Sequence, residues 1–149
     1  MTTTVTSADP LPRTVGPVSR TDIVRYQGAS GDFNPIHHDD GFARAAGYPE
    51  AFAVGMLPAG LLAGYATSIW GAQTIRRFRA RFREQVWPGD VLHLSARVVG
   101  EIASGAGETR NITVELVCAR QGGGVAVSAT AEFELPPHHR TATDMGDAS

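Results

Sequence analysis

The segment GMLPAGLLAGYATSIWG, from Gly55 to Gly71, runs for 17 residues without one charged side chain. A helix built from it is apolar on every side, so other elements must enclose it. It is too short to read as a membrane span, which takes about 18 or more apolar residues. The chain's 149 residues suffice for one domain with a self-sustaining core. What can enclose the helix lies downstream. Gln73 to Val86, Val91 to Gly100, Thr109 to Gln121 and Val125 to Leu135 read as strands. WPGD at Trp87 to Asp90 and GGG at Gly122 to Gly124 read as turns. Consecutive antiparallel strands curving around one buried helix make an α+β layout.

Upstream of that helix the chain places its chemistry. SRTDIVRYQGASGD opens with Ser19 three residues before Asp22, a capping-box start, and Gly28 or Gly31 can end a short helix. Then comes GDFNPIHHDD, residues 31 to 40, which holds two of the chain's five histidines. Asp39 is placed to cap a second helix, DGFARAAG, closed by Gly47. Asp32 and His37 are five residues apart, a net rotation of about 140° on a regular helix, which would point them to different sides. A bend at Gly31 and Pro35 instead lets both face one cavity, with Asn34 bracing the loop by hydrogen bonds to backbone. A carboxylate and an imidazole in one pocket are complementary proton carriers near neutral pH. The plainer alternative is that both are turn and capping residues. His38 faces the other side of an extended loop, as a solvated or loop-bonding group. His37, His38, Asp39 and Asp40 are adjacent in sequence and do not converge on one ion without more distant ligands, so no metal is expected.

The stretch YQGASGDFNPIHHDDGFARAAGYPEAFAVGMLPAGLLAGY, with RFRARFREQVWPGD after it, resembles the R-specific enoyl-CoA hydratases and (3R)-hydroxyacyl-ACP dehydratases of the MaoC-like group. The likeness is carried by Asp-x-Asn-Pro-x-His, the acidic helix start after it and the Gly-Met opening of the apolar helix, and it spans about Val18 to Leu135. It implies a hot-dog fold, an antiparallel sheet wrapped around a long central helix. The expected organisation is one domain over residues 17–135, between flexible segments at 1–16 and 136–149. The resemblance implies that Asp32 and His37 are the catalytic pair, that Asn34 supports their loop, and that the Gly55 N–H helps bind the thioester oxygen. Free amides and the positive dipole end at a helix N-terminus suit such an oxyanion on physical grounds as well. Met56, next to Gly55, is a substrate-side candidate, although a methionine on such a helix is ordinarily core.

The implied reaction is reversible hydration of trans-2-enoyl thioesters, or equally dehydration of 3R-hydroxyacyl thioesters, in fatty-acid or polyketide-type metabolism. Neutral His37 would take the proton of water attacking C3, while Asp32 orients the water and handles the C2 proton. CoA, or the phosphopantetheine of an acyl carrier protein, enters as part of the substrate, and no other cofactor is expected. The expected assembly is a homodimer or a heterodimer with a homologous hot-dog subunit, the narrower resemblance being to catalytic subunits of actinobacterial dehydratases. Val54 stands where many relatives carry a histidine and Gly60 where some carry a serine, which removes two polar contacts but leaves a backbone oxyanion site. A hot-dog thioesterase is the rival enzyme, yet such enzymes look to an acid on or near the central helix, where Gly55 to Gly71 offers none. A non-catalytic acyl-binding subunit is the other rival, and retention of Asp32 and His37 argues against it.

In RFRARFR, Arg77, Arg79, Arg81 and Arg83 alternate with Phe78, Ala80 and Phe82, so a strand puts four guanidiniums on one face. Most suit a solvated face paired with acids such as Glu115, and Arg79 and Arg81 are the candidates for phosphates of CoA or an acidic carrier. A formal charge of -2 and the lack of a recognisable motif disfavour nucleic acid. The lone Cys118 excludes an intrachain disulfide, fitting a reducing compartment, with cytoplasm the default. All 13 basic residues are arginine, so no lysine nucleophile is present. His138 and His139 read as part of a solvated tail.

Overall fold

The computed structural model of the protein describes residues 9–104 and 109–137. Five antiparallel strands form one sheet: β1 (Arg13–Val15), β2 (Ile75–Phe82), β3 (Leu92–Ser104), β4 (Thr109–Arg120) and β5 (Val125–Leu135), in the order β1-β3-β4-β5-β2. Helix α1 (Arg20–Ser30) and short α2 (Asp40–Ala45) precede α3 (Met56–Trp70), which lies against β2, β3, β4 and β5. This is the hot-dog arrangement anticipated for the α+β chain. Among the described residues no helix is long and apolar enough to cross a membrane.

The apolar helix is buried as its composition requires. Ala59, Leu62, Tyr65, Ala66 and Trp70 point into a core closed by Leu94, Val114, Leu116, Val127, Ala131 and Phe133 from the sheet. Burying a leucine or phenylalanine of that kind stabilises the fold by about 1.5–3 kcal/mol. Pro58 is tolerated in the first turn because the amides there have no intrahelical partner to lose. Strand β4 alternates inward Ile112, Val114, Leu116 and Cys118 with outward residues. Burial pushes the Cys118 thiol up to about 11, so it stays protonated and acts as a small apolar side chain.

The structure departs from the sequence reading at β1, at the end of β2 and in the setting of Phe82. Residues 13–15, expected to lie outside the folded domain, form β1 and pair with Leu92 to Leu94. Tertiary contacts hold that strand: the buried Tyr65 hydroxyl donates to the Leu11 carbonyl at 3.0 Å, and Arg13 donates to Ser68 Oγ at 2.9 Å. Strand β2 ends at Phe82 instead of Val86, because Arg83 and Glu84 both turn their N–H groups to the Ala126 carbonyl. Phe82, expected on the apolar face with Phe78 and Ala80, is half exposed and leans toward Gly55, whose missing side chain leaves room for its ring. His138 and His139 lie outside the described residues.

Candidate active site

The loop between α1 and α2 is fixed by local hydrogen bonds at each end. Ser19 and Asp22 form the expected capping box at the start of α1, and Gly31 ends that helix in the left-handed region, φ 75°, where glycine carries no steric penalty. Asn34 Oδ1 accepts from the Ile36 N–H at 3.1 Å and so caps a single 3₁₀ turn, Pro35–His37. Asp39 accepts from the Phe42 N–H and starts α2. The bend expected at Gly31 and Pro35 is therefore present, and it brings Asp32 and His37 onto one side.

His37 Nε2 lies 4.0 Å from Asp32 Oδ2. The other ring nitrogen, Nδ1, is 2.8 Å from the Phe52 carbonyl. A carbonyl only accepts, so Nδ1 carries the proton and neutral His37 keeps its lone pair on Nε2, toward the acid. The 4.0 Å gap is too wide for a direct hydrogen bond, but one oxygen atom about 2.8 Å from each group can bridge it. The imidazole is encased, with a side chain 10% exposed that meets the Phe52 ring edge-on, whereas the Asp32 carboxylate is 43% exposed. Asp32 Oδ1 accepts from the Asn34 N–H at 3.2 Å.

Phe52 joins this pair to the other half of the site. Its neighbour Ala53 donates to the Val86 carbonyl at 2.8 Å, its ring packs against Trp87, and three residues later Gly55 opens α3. Among the described residues the Gly55 N–H has no hydrogen-bond partner, which leaves it at the positive end of the helix dipole. A cleft of about 220 Å³ opens there, lined by Phe52, Gly55, Pro58, Phe82, Arg83 and Val86 among others. Asp32 and His37 are not part of its lining; His37 is linked to it through Phe52.

The remaining candidates divide. Met56 is half exposed at the start of α3, so the core reading of it fails and a place beside Gly55 remains. Arg79 and Arg81 project from the face of the sheet opposite α3 and are not brought to the Asp32–His37 loop. They share a groove of about 490 Å³ with Arg77, Arg83, Glu115 and Glu132. Arg77 pairs with Glu132 and Arg97 with Glu115, each directly across the strands. Among the described residues Arg79 and Arg81 make no ion pair. Arg83 lines both the groove and the cleft at Gly55. His38 donates from Nδ1 to Gln27 Oε1 at 3.0 Å, the loop-bonding role expected of it.

Three contributors were missed. The Phe52 carbonyl leaves no trace in residue identity. Gln27 was signalled only by its place one turn after Ile23 on the buried face of α1. Asp40 receives Arg20 at 3.0 Å and the Ala51 N–H at 2.9 Å, tying α1 and α2 to the segment before Phe52.

Known proteins share this architecture. Part of the fatty acid synthase beta subunit aflB of Emericella nidulans is 31% identical over 144 residues, 94% of this chain and 7% of that protein. The chain spans less than a tenth of the length of the curated relatives it matches. The ChsH1–ChsH2 complex of Mycobacterium tuberculosis contains a chain that superposes with TM-score 0.74 at 27% identity, over 89% of this chain and 98% of that one. R-hydratase PhaJ1 of Pseudomonas aeruginosa shares the fold at TM-score 0.72 and 24% identity, over 87% of this chain and 80% of that one. The family model described as MaoC like domain matches residues 2–119, a range that holds the Asp32–His37 loop, the Gly55 amide and the central helix, and the chain belongs to the MaoC-like domain family.

Proposed function

We propose that the protein is a hydro-lyase that adds water reversibly to trans-2-enoyl thioesters and, in reverse, dehydrates 3R-hydroxyacyl thioesters. The observation that carries this reading is the fixed tautomer of His37, whose Nε2 lone pair faces Asp32 at 4.0 Å. A water held between the two, oriented by Asp32, is deprotonated by Nε2 as its oxygen attacks C3, and the proton so gained is passed by way of Asp32 to C2, which leaves both groups as they began. Negative charge then collects on the thioester oxygen, and the Gly55 N–H at the start of α3 is suited to receive it. Membership of the family and the fold shared with an R-hydratase support the same chemistry.

CoA or a phosphopantetheine arm is the handle of the substrate in this reading, and no other cofactor is assigned. Arg79 and Arg81 are the proposed phosphate contacts, supported by Arg83, which joins their groove to the cleft at Gly55. At about 3.4 Å per antiparallel strand residue Arg79 stands roughly 10 Å from Phe82, whose ring lies at Gly55, a span that suits an extended arm between thioester and phosphate. Met56 is the proposed contact for the acyl portion. The partner is a second hot-dog subunit, identical or homologous, and the place of action is the cytoplasm. Hydrolysis is less well supported, since α3 carries no acidic residue.

The test is incubation of purified protein with crotonyl-CoA and longer trans-2-enoyl thioesters. Absorbance of the conjugated thioester is expected to fall, and chiral analysis to return the 3R alcohol. Release of free thiol without alcohol would replace the reading with a thioesterase, and no turnover of any enoyl thioester, alone or with a homologous subunit, would end it.

A further inference from the structure

We infer that Gln27 is a positioning residue for the acid half of this site, an inference that rests on the hydro-lyase reading for its kinetic consequence. Gln27 is the one buried polar or charged residue among those described, 2% exposed, on the face of α1 that also buries Ile23. A buried amide is costly unless its bonding capacity is used, and here both ends are engaged. Nε2 donates to the Asp32 carbonyl at 2.9 Å and to the Asn34 carbonyl at 3.2 Å. Carbonyls only accept, so these two fix which way round the amide sits, and Oε1 is left to accept from His38 Nδ1 at 3.0 Å.

The two halves of the catalytic pair are held unequally. His37 is set by the Phe52 carbonyl and by the Phe52 ring. Among the described residues the Asp32 carboxylate accepts one hydrogen bond, from the Asn34 N–H, and its side chain is 43% exposed. Its direction therefore depends on the backbone beneath it, and one amide group clamps that backbone at the carbonyls on either side of Phe33. The Asn34 carbonyl also accepts from the His37 N–H at 3.1 Å, so the same clamp sets the distance from acid to imidazole. An apolar residue of equal size would fill the space on α1 and leave both carbonyls without this donor.

The experiment compares Gln27→Met, close in size but without donors, with His38→Ala, which removes the partner of Oε1 and leaves the amide held at one end only. Misplacing a reacting group by about 1 Å costs about 100-fold in rate. Gln27→Met is accordingly expected to lower kcat 10- to 100-fold on a trans-2-enoyl-CoA with KM within about threefold of the parent. His38→Ala is expected to lower kcat less, and the double variant to be no worse than Gln27→Met alone, because both act through one amide. Hydrogen exchange at the Asn34 and His37 amides is expected to accelerate in each variant, with exchange in α3 unchanged. A folded Gln27→Met with kcat within twofold of the parent, a loss confined to KM, or multiplying losses in the double variant would each overturn the assignment. Should Gln27→Met fail to fold, His38→Ala decides, since unchanged kcat and unchanged loop exchange there overturn it. Should the parent turn over no enoyl thioester, the hydro-lyase reading falls and the exchange rates alone decide whether Gln27 sets the loop.

Discussion

His37 has one neutral tautomer open to it, because the Phe52 carbonyl at 2.8 Å accepts and never donates. Replacing it with alanine removes the Nε2 lone pair and strands that carbonyl, whereas Asp32→Asn keeps the shape and the acceptor for the Asn34 N–H while removing the charge. A positioned general base or acid contributes about 10²–10⁴-fold. His37→Ala is therefore expected to lower kcat at the upper end of that range and Asp32→Asn nearer its lower end, with native circular dichroism in both. Either variant within tenfold of the parent would take that residue out of the mechanism. That Asp32 and His37 meet on one side of a bend braced by Asn34 was legible, because side chains of distinctive chemistry stand there at a distinctive spacing around a proline. Phe52 was not, since it acts through a carbonyl that any residue would supply, and Gln27 was not, since a glutamine one turn from an isoleucine reads as an ordinary helix surface until tertiary packing buries it.

Elements, unlike single residues, were mostly written in local pattern: the capping box of α1, the Asp39 cap of α2, the charge-free α3 and the turns around Gly89 and Gly122 all stand where the sequence places them. Strand β1 and the end of β2 were not, because three residues carry too short a period and their pairing depends on Tyr65, Ser68 and Ala126 from distant parts of the chain. Asp40 ties α1 and α2 to the segment before Phe52 and gives that junction a pH dependence. The Ala51 N–H, followed by the Arg20 guanidinium, holds its carboxyl below the usual aspartate value. A depressed folded-state value means the unfolded chain binds the proton more readily. The contribution is thus fully present above the ordinary aspartate value of about 4 and is lost as pH falls from there through the folded value. Asp40→Asn retains an acceptor for Ala51 but not the charge facing Arg20. The difference in melting temperature between parent and Asp40→Asn is expected to be constant between pH 6 and 8 and to shrink as pH is lowered below about 4. A difference that persists undiminished in acid would show that the charge is not what Asp40 contributes.

At the scale of the whole molecule, the sheet order puts β2 at one margin, eight residues long, with no strand beyond it among the described residues. The opposite margin, β1, is only three residues long. A long bare edge offers unpaired N–H and C=O groups to any strand that approaches, and isolated chains shorten, bend or charge such edges. Arginines at 77, 79 and 81 blunt the sheet's outer face but leave the hydrogen-bonding edge itself untouched, because strand side chains stand perpendicular to it. Phe33 on the Asp32–His37 loop, Met56 at the start of α3 and Phe82 at the end of β2 add exposed apolar surface. Edge and apolar surface together favour a second hot-dog subunit pairing along β2, and a chain similar to this one occurs in the solved ChsH1–ChsH2 complex. Sedimentation at micromolar concentration is expected to return a particle of two chains. A chain that sediments singly, and pairs only when a homologous subunit is added, would assign the heteromeric form. One that stays single with every such subunit, while turning over enoyl thioester at full rate, would show that the bare edge is protected without a partner.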